Sequence, residues 1–210
     1  ESLPNSSELF RIYEQTPGYS PILIVASIEE QPIAKLQAVI RRSVRLFPPS
    51  LIKRCEIFGT GEYFDTTYSQ EELFGLMLEH LTNEVLKECF LIEFRNLPTA
   101  LFGYKHFRQN GYFPVNWIRV YNSLHSLSPE ERLENKRKRQ INRALKYGAT
   151  LQEAQSEEER DTFLQLLKRN YSSKLRKHFP ALELFQLLTK ENTEEKSART
   201  FIVKYRNRII

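Results

Sequence analysis

The hydrophobic pattern of the first sixty residues predicts one helix followed by three strands. Apolar residues recur on one helical face over 6–15, and Pro17 and Gly18 end the run. Two apolar runs then flank a short polar stretch, which is the pattern of a β-hairpin, and a third apolar run predicts another strand. The predicted strands are 21–26, 33–40 and 54–58, with the turn at 29–32. Together they predict an antiparallel meander.

The next segment combines a capped helix with a buried strand. Ser69 and Glu72 form a capping box, and apolar residues repeat behind it at helical spacing to about Glu88. The continuous apolar run 89–94 predicts a buried strand, so the order strand, helix, strand implies a crossover and locally parallel pairing. The remaining predicted elements of this region are a short helix over 100–109 and a strand over 113–121.

A second capping box begins the region that carries most of the charge. Ser128 and Glu131 form this box, Pro129 stands at the first helical position, and Gly148 has the position of a C-cap glycine. One helix is therefore predicted over 128–148. Beyond it the pattern predicts a strand over 149–154, a helix from a third capping box at Ser156, a helix opening at Pro180 and a strand over 199–205.

The end of the sequence has the pattern of a hairpin. Residues 206–208 predict a turn, and Ile209 begins a partner strand. Because a sheet that stopped there would have an open edge, we expect the natural protein to continue for most of another domain. The predicted fold class is mixed α/β (α+β), with a mainly antiparallel sheet flanked by helices and followed by the start of a second, similar domain. The predicted divisions are a first domain over 1–127, a connecting basic helix over 128–148 and an incomplete second domain over 149–210.

Composition narrows the class of protein. The 210 residues carry 31 Lys and Arg against 26 Asp and Glu, a net charge of +5 that matters only if it is concentrated. Cys55 and Cys89 lie in apolar runs without zinc or disulfide spacing, so we expect reduced core thiols in a cytoplasmic protein. The four histidines have no metal-ligand spacing, and a metal is not expected. No apolar run approaches the roughly 20 residues of a membrane span.

Positive charge is concentrated on one side of the helix predicted over 128–148. At about 100° per residue, its basic residues fall within one quarter of the helix surface. Such a stripe could hold phosphates, a diphosphate-linked substrate or an RNA backbone, and the alternative is a merely solvated face favoured near the helix C-terminus by the macrodipole. The stripe consists of Arg132, Lys136, Arg139, Arg143 and Lys146, and the apolar arc consists of Leu133, Ile141, Ala144 and Leu145.

Three weaker candidates remain. A basic and aromatic cluster at 104–108 with Tyr112 could position a ligand, although a helix surface followed by a core aromatic is the commoner explanation. Gly59 and Gly61 follow a strand but lack the lysine and third glycine of a phosphate loop, so they predict a turn. The candidate acids or bases, named only for their position near predicted strand ends, are Glu62, Asp65 and Glu93.

The run Lys-Arg-Lys-Arg-Gln-Ile-Asn-Arg-Ala-Leu-Lys-Tyr-Gly-Ala over 136–149, followed by a short strand and the capped helix at Ser156, resembles the linker and second-domain opening of the Fem family. Members of this family carry a similar Arg-x-x-Ile-x-x-Ala-x-x-x-Gly run there. They are peptidyltransferases built from two GNAT-like acyltransferase domains, and the strand order predicted for residues 20–122 is similar to one such domain.

The resemblance implies a bacterial aminoacyltransferase that works without a metal or other cofactor. Its donor would be aminoacyl-tRNA and its acceptor an amine of a lipid-linked or nucleotide-linked peptidoglycan precursor. Lys136, Arg139 and Arg143 are the matching basic positions, with Arg132 and Lys146 beside them, and they would contact the anionic substrate or RNA. The match assigns no catalytic residue.

One departure leaves two other functions open. The acyl-CoA loop of ordinary GNAT enzymes, Arg/Gln-x-x-Gly-x-Gly/Ala, is absent from residues 1–210, so acetyl-CoA could be used only if a later part of the second domain carries it. An acyl-CoA-dependent N-acyltransferase of another amine is the alternative enzyme. A non-catalytic binding module that uses the basic helix is the alternative from another class.

Overall fold

The computed structural model describes residues 5–42, 53–65, 67–95, 101–115, 127–175, 179–189 and 198–210. In chain order the elements are α1 (Ser7–Gln15), β1 (Tyr19–Ile28), β2 (Gln31–Arg42), β3 (Lys53–Phe58), β4 (Glu62–Tyr63), α2 (Gln70–Val85), β5 (Leu91–Arg95), α3 (Tyr104–Gln109), α4 (Pro129–Arg132), α5 (Asn135–Lys146), β6 (Ala149–Glu153), α6 (Glu157–Ser173), α7 (Leu182–Leu188), β7 (Phe201–Tyr205) and β8 (Arg208–Ile209). They form two compact units, one of Glu1–Pro114 with Pro180–Leu188 and one of Val115–Phe179 with Thr189–Ile210.

Serine caps set the starts of four helices. In each, the serine hydroxyl oxygen accepts a hydrogen bond from the backbone N–H three residues on, which satisfies one of the free donors of the first turn. Only at Ser128 is the box reciprocal, with Glu131 accepting from the serine N–H. At Ser156 the third residue, Glu159, accepts from Gln155 instead. The four capping residues are Ser6, Ser69, Ser128 and Ser156.

The sheet of the first unit has the strand order β1-β2-β3-β5, with the short β4 pairing against β2. The pairs β1/β2 and β2/β3 are antiparallel, and β3/β5 is parallel because α2 crosses between them. Glu29 and Glu30 form the hairpin turn with positive φ angles of 48° and 68°. The predicted meander, hairpin and parallel crossover are therefore confirmed, and so is the mixed α/β class with a mainly antiparallel sheet flanked by helices.

The main core of the first unit lies between α2 and one face of this sheet. Phe74, Met77, Leu78 and Leu81 of α2 are almost completely buried there. They pack against a row of alternate strand residues, because side chains two apart on a strand share a face. This row includes Leu36, Ala38, Ile40, Cys55 and Ile57. Helix α3 extends the core through Phe107, whose ring centroid lies 5.2 Å from that of Phe74.

Helix α1 packs on the opposite face of the sheet. Its Tyr13 stacks on Tyr19 of β1 with ring centroids 5.6 Å apart, and Tyr19 pairs with Arg41, which points away from the α2 core. Leu9 and Ile12 of α1 are buried on this side. Helix α7 lies against α1, so a segment late in the sequence completes the first unit.

The second unit holds a separate antiparallel sheet with the order β6-β7-β8. Arg206 and Asn207 turn the chain between β7 and β8 with φ angles of 49° and 58°, which confirms the predicted hairpin. Among its described residues, Ile202 of β7 and Leu164 of α6 are the most buried. Among the described residues no helix is both long and apolar enough to cross a membrane.

Four element predictions need correction. The continuous helix predicted over 128–148 is wrong, because α4 ends at Arg132 and α5 begins at Asn135. The short helix begins at Tyr104, since Gly103 before it has a left-handed φ of 66°. The buried strand begins at Leu91 and the helix before it ends at Val85. Of the strand predicted over 113–121, residues 113–115 have no regular structure and the rest lies outside the described residues.

Candidate functional site

Four of the five residues of the predicted basic stripe lie in a row on α5. Lys136, Arg139, Arg143 and Lys146 occupy about 80° of the helix circumference at about 100° per residue. Successive members are three or four residues apart, so their Cβ atoms lie about 5–6 Å from one another. All four side chains are exposed to solvent. The row presents one positive charge per helical turn.

No carboxylate of the described chain pairs with any member of this row. The guanidinium of Arg143 instead lies over the ring of Tyr147, 5.7 Å from its centroid. Tyr147 is itself 62% exposed. Arg143 and Lys146 stand in the last turn, where the helix macrodipole favours cations. The four charges therefore remain available to an external anion.

Arg132 is not part of the row. Leu133 and Glu134 have extended backbone angles, ψ 133° and ψ 146°, which separate α4 from α5. The Arg132 guanidinium nitrogens Nη1 and Nη2 are buried and have no hydrogen-bond partner within the part of the chain that the structure describes. Its expected place on one helical stripe with Lys136 is therefore wrong, although the two residues stay close in sequence.

The opposite side of α5 is also exposed. Ile141 and Leu145, which belong to the apolar arc, are 40% and 56% exposed, and no residue of α5 is buried. Helix α5 therefore stands on the surface of the second unit with both its basic and its apolar arc accessible.

The basic and aromatic cluster of the first unit divides into surface and core residues. Tyr112 is partly buried and packs against the core, and its hydroxyl lies 2.8 Å from Thr82 Oγ1. His106 lines a surface groove of about 430 Å³ between α2 and α3, and its Nε2 lies 3.7 Å from Glu72 Oε1. The other lining residues are Gly75, Leu76, Glu79, Gln109 and Asn110. Lys105 and Arg108 are exposed helix residues that do not line it.

The three candidate acids and bases each have a local partner. Glu62 pairs with Lys35 at 3.3 Å, and Glu93 pairs with Arg95 at 2.9 Å. Asp65 accepts a hydrogen bond from the Thr67 N–H at 2.7 Å, and the hydrogen bonds from Thr67 lower the pKa of its carboxyl.

Glycines 59 and 61 form a turn, as predicted. Both have left-handed φ angles, 82° and 91°. A Cβ on Gly61 would lie 2.4 Å from the Lys35 carbonyl oxygen, so this glycine allows β4 to approach β2. The thiols of Cys55 and Cys89 are free and buried, and burial raises the pKa of Cys55 to about 12. Within the described ranges no three metal-ligating side chains come together.

The sequence did not reveal the polar network on the α1 face of the sheet. Glu56, which is 5% exposed, accepts hydrogen bonds from Arg41 Nη1 through both carboxylate oxygens, at 3.1 Å and 3.2 Å. Arg95 Nη2 lies 4.0 Å from the same carboxylate. The alternation of Cys55, Glu56 and Ile57 could have placed the glutamate opposite the core, but its partner follows only from the register of β2 and β3.

The fold of this chain is similar to that of FemX, a protein of known structure. The structure of FemX is similar to 97% of this chain, with a TM-score of 0.56 and 15% sequence identity, and the match covers 53% of the FemX chain. This chain therefore spans about half of the FemX chain. At that identity the likeness concerns the fold alone, and the Fem-like fold that the 136–149 run implied is confirmed.

Two further solved structures are similar to this chain at lower TM-scores. L-PGS from Bacillus licheniformis matches 99% of this chain and 60% of its own, with 16% identity and a TM-score of 0.46. A ribosomal-protein-alanine N-acetyltransferase from Brucella melitensis matches 53% of this chain and 77% of its own, with 8% identity and a TM-score of 0.35. No family model and no curated protein matches the sequence.

Proposed function

We propose that this chain belongs to a cytoplasmic aminoacyltransferase of the Fem type, in which α5 binds the phosphates of aminoacyl-tRNA. The observation that carries the proposal is the row Lys136, Arg139, Arg143 and Lys146, which is exposed and unpaired by carboxylates in the described chain. A fold similar to that of FemX makes RNA-dependent acyl transfer the best-supported use of the row. The free thiols Cys55 and Cys89 agree with a reducing compartment.

The geometry of the row suits a phosphate backbone. Four cations spaced by one helical turn cover about 15 Å of helix axis at a rise of about 1.5 Å per residue. Arginines and lysines in such an array bind nucleic acid by displacing condensed counterions, which makes the affinity fall with salt. The exposed ring of Tyr147 beside Arg143 adds an aromatic surface on which a base can stack.

The proposed reaction is the attack of an acceptor amine on the aminoacyl ester. The amine nitrogen forms a bond to the ester carbonyl carbon, the bond from that carbon to the ribose oxygen breaks, and the proton of the amine is transferred to the leaving hydroxyl. The ester is already activated, so the protein contributes chiefly by positioning the reactants and neutralising phosphate charge. The acceptor amine would be carried by a lipid-linked or nucleotide-linked peptidoglycan precursor.

A binding titration with aminoacyl-tRNA tests this proposal on the whole protein. In the test variant Lys136, Arg139 and Arg143 are changed to Ala, and we expect its affinity to fall at least about tenfold. The control variant removes the same charge from three exposed positions at the C-terminal end of α6 in the same unit, Lys168, Arg169 and the C-cap residue Lys174. It should bind within about twofold of the unmodified protein.

A parallel titration with acetyl-CoA separates the alternative enzyme. If the protein binds acetyl-CoA but not tRNA, and the α5 variant binds acetyl-CoA equally well, the Fem-type hypothesis is wrong. An acyl-CoA-dependent N-acyltransferase would then be the better interpretation. Equal loss of tRNA affinity in the α5 and α6 variants would show that net charge, rather than the α5 row, drives binding. Binding of tRNA without transfer to any amine acceptor would favour a non-catalytic binding module.

A further inference from the structure

Two arginines lie side by side on the sheet of the first unit. Arg41 of β2 is the direct register partner of Arg54 of β3, so both side chains project from the same face. That face is the one opposite the α2 core, because Ile40 and Cys55, their neighbours in sequence, point into the core. Like charges directly opposite one another on adjacent strands are destabilising. An anion bound beside the two guanidinium groups would reduce this repulsion.

The carboxylate nearest to this pair serves only one of its members. Glu56 is buried and binds Arg41 through Nη1. The Arg41 guanidinium also lies 5.3 Å from the centroid of the Tyr19 ring, so it is held from two sides. Arg54 is exposed, and the part of the chain described by the structure offers it no carboxylate partner. Among the described residues, one positive charge of the pair therefore has no carboxylate to balance it.

The other charged side chains described on this face do not balance the positive charge of Arg54. Arg95 is paired with Glu93 at 2.9 Å and lies over the ring of Phe58, 6.0 Å from its centroid. Among the described strand residues, this face carries Arg41, Arg54, Arg95 and Lys35 against Glu56, Glu93 and Glu62, and Lys35 is paired with Glu62 at 3.3 Å. Tyr13 and Tyr19 complete it, and burial raises the pKa of both phenols, so they stay neutral at physiological pH.

We propose that Arg41 and Arg54 form a subsite for an oxyanion, a phosphate or a carboxylate group of a small-molecule ligand. Arg41 uses Nη1 for Glu56 and keeps further N–H donors, and no described residue accepts a hydrogen bond from the Arg54 guanidinium. Guanidinium groups bind phosphate and carboxylate through paired N–H donors, which a single lysine cannot reproduce. Glu56 acts as the positioning residue that orients Arg41.

This subsite is separate from the α5 row and does not rest on the transfer reaction. The two arginines belong to the first unit, whereas α5 belongs to the second. A binding experiment on the Arg41–Arg54 subsite therefore neither supports nor contradicts the proposal that α5 binds aminoacyl-tRNA.

Calorimetric titration of the whole chain with pyrophosphate at low salt tests the subsite. We expect Arg54→Ala to weaken binding at least about tenfold, since it removes charge-assisted hydrogen bonds from an exposed side chain. Arg42→Ala is the matched control, because Arg42 is exposed and follows Arg41 in the same strand but projects from the other face. It should change the affinity less than about twofold. Unfolding midpoints equal to that of the unmodified protein would establish that both variants fold.

A second titration with malonate distinguishes the two ligand chemistries. Tighter binding of pyrophosphate assigns the subsite to phosphate esters, and tighter binding of malonate assigns it to carboxylates. The inference is overturned if neither anion binds, or if Arg42→Ala weakens binding as much as Arg54→Ala. It is also overturned if the triple variant at Lys136, Arg139 and Arg143 abolishes the binding, because the anion would then be held by α5.

Discussion

The imidazole of His106 lies directly against the backbone of Gly75, in the middle of α2. A Cβ at Gly75 would stand 2.3 Å from His106 Nδ1, closer than real contacts allow. Glycine in a helix interior costs about 1 kcal/mol relative to alanine, so its presence here has a packing reason. It lets α3 approach α2 and forms one wall of the His106 groove.

Gly75→Ala should therefore destabilise the first unit despite its better helix propensity. We expect a loss of about 1–3 kcal/mol in the free energy of unfolding, because the ring and α3 must shift. Urea denaturation measures it, with Leu76→Ala as the control, since Leu76 is 64% exposed on the same helix. In the double variant Gly75→Ala, His106→Ala the clash is absent and stability should be regained. If Gly75→Ala alone stabilised the protein, the close approach would be contradicted.

The buried carboxylate of Glu56 gives a second prediction. Glu56→Gln leaves the Arg41 guanidinium beside an uncharged amide, and we expect the free energy of unfolding to fall by about 1–3 kcal/mol. Partial exposure of Arg41 keeps the loss below that of a fully buried pair. Glu84→Gln, which breaks the exposed pair with Lys87, is the control and should leave the free energy of unfolding nearly unchanged. Equal effects of the two changes would argue against the Arg41–Glu56 contact.

Alkaline pH should weaken the fold through Cys55. Burial raises the pKa of this thiol from 9.0 to about 12, so the unfolded chain loses the proton at a lower pH than the folded chain. Stability is thus fully present below about pH 9 and declines between about pH 9 and 12, at up to about 1.4 kcal/mol per pH unit for this one proton. Cys55→Ala should flatten that part of the profile of unfolding free energy against pH. An unchanged slope in this variant would mean that the thiol does not contribute.

The β1–β2 hairpin turn can be improved. Glu29 and Glu30 both have positive φ, a conformation that favours Asn and Gly in two-residue hairpins. The double variant Glu29→Asn, Glu30→Gly should raise the free energy of unfolding by about 1 kcal/mol, because it relieves backbone strain at two positions. Glu29→Val, which places a β-branched residue at positive φ, should lower it. Thermal unfolding measures both, and the same sign for both variants would contradict the turn conformation.

Local signals in the sequence predicted much of the fold. The serine caps at Ser69, Ser128 and Ser156 and the hairpin turns act over three or four residues, so the pattern alone defines them. The break between α4 and α5 was not predictable in this way, since neither Leu133 nor Glu134 is a helix-breaking residue. The start of β5 at Leu91 was also missed, because the apolar run 89–94 does not mark where strand pairing begins.

The candidate sites were predictable in different degrees. The α5 row follows from helical periodicity, which a sequence displays directly. The register of β2 and β3 determines both the pair Arg41–Arg54 and the contact of Arg41 with Glu56. The sequence that joins the two strands has no periodic pattern from which this register could be predicted. Likewise, the contact of Gly75 with His106 joins residues about thirty positions apart.

Salt dependence of aminoacyl-tRNA binding tests the central claim most directly. Plotted as log affinity against log salt concentration, the slope of the variant with Lys136, Arg139 and Arg143 changed to Ala should be shallower by about 2–3 than that of the unmodified protein, one counterion per lost phosphate contact. The α6 variant at Lys168, Arg169 and Lys174 should keep the original slope. If the α5 variant keeps it too, or if the unmodified protein does not bind aminoacyl-tRNA, α5 is not an RNA-binding surface.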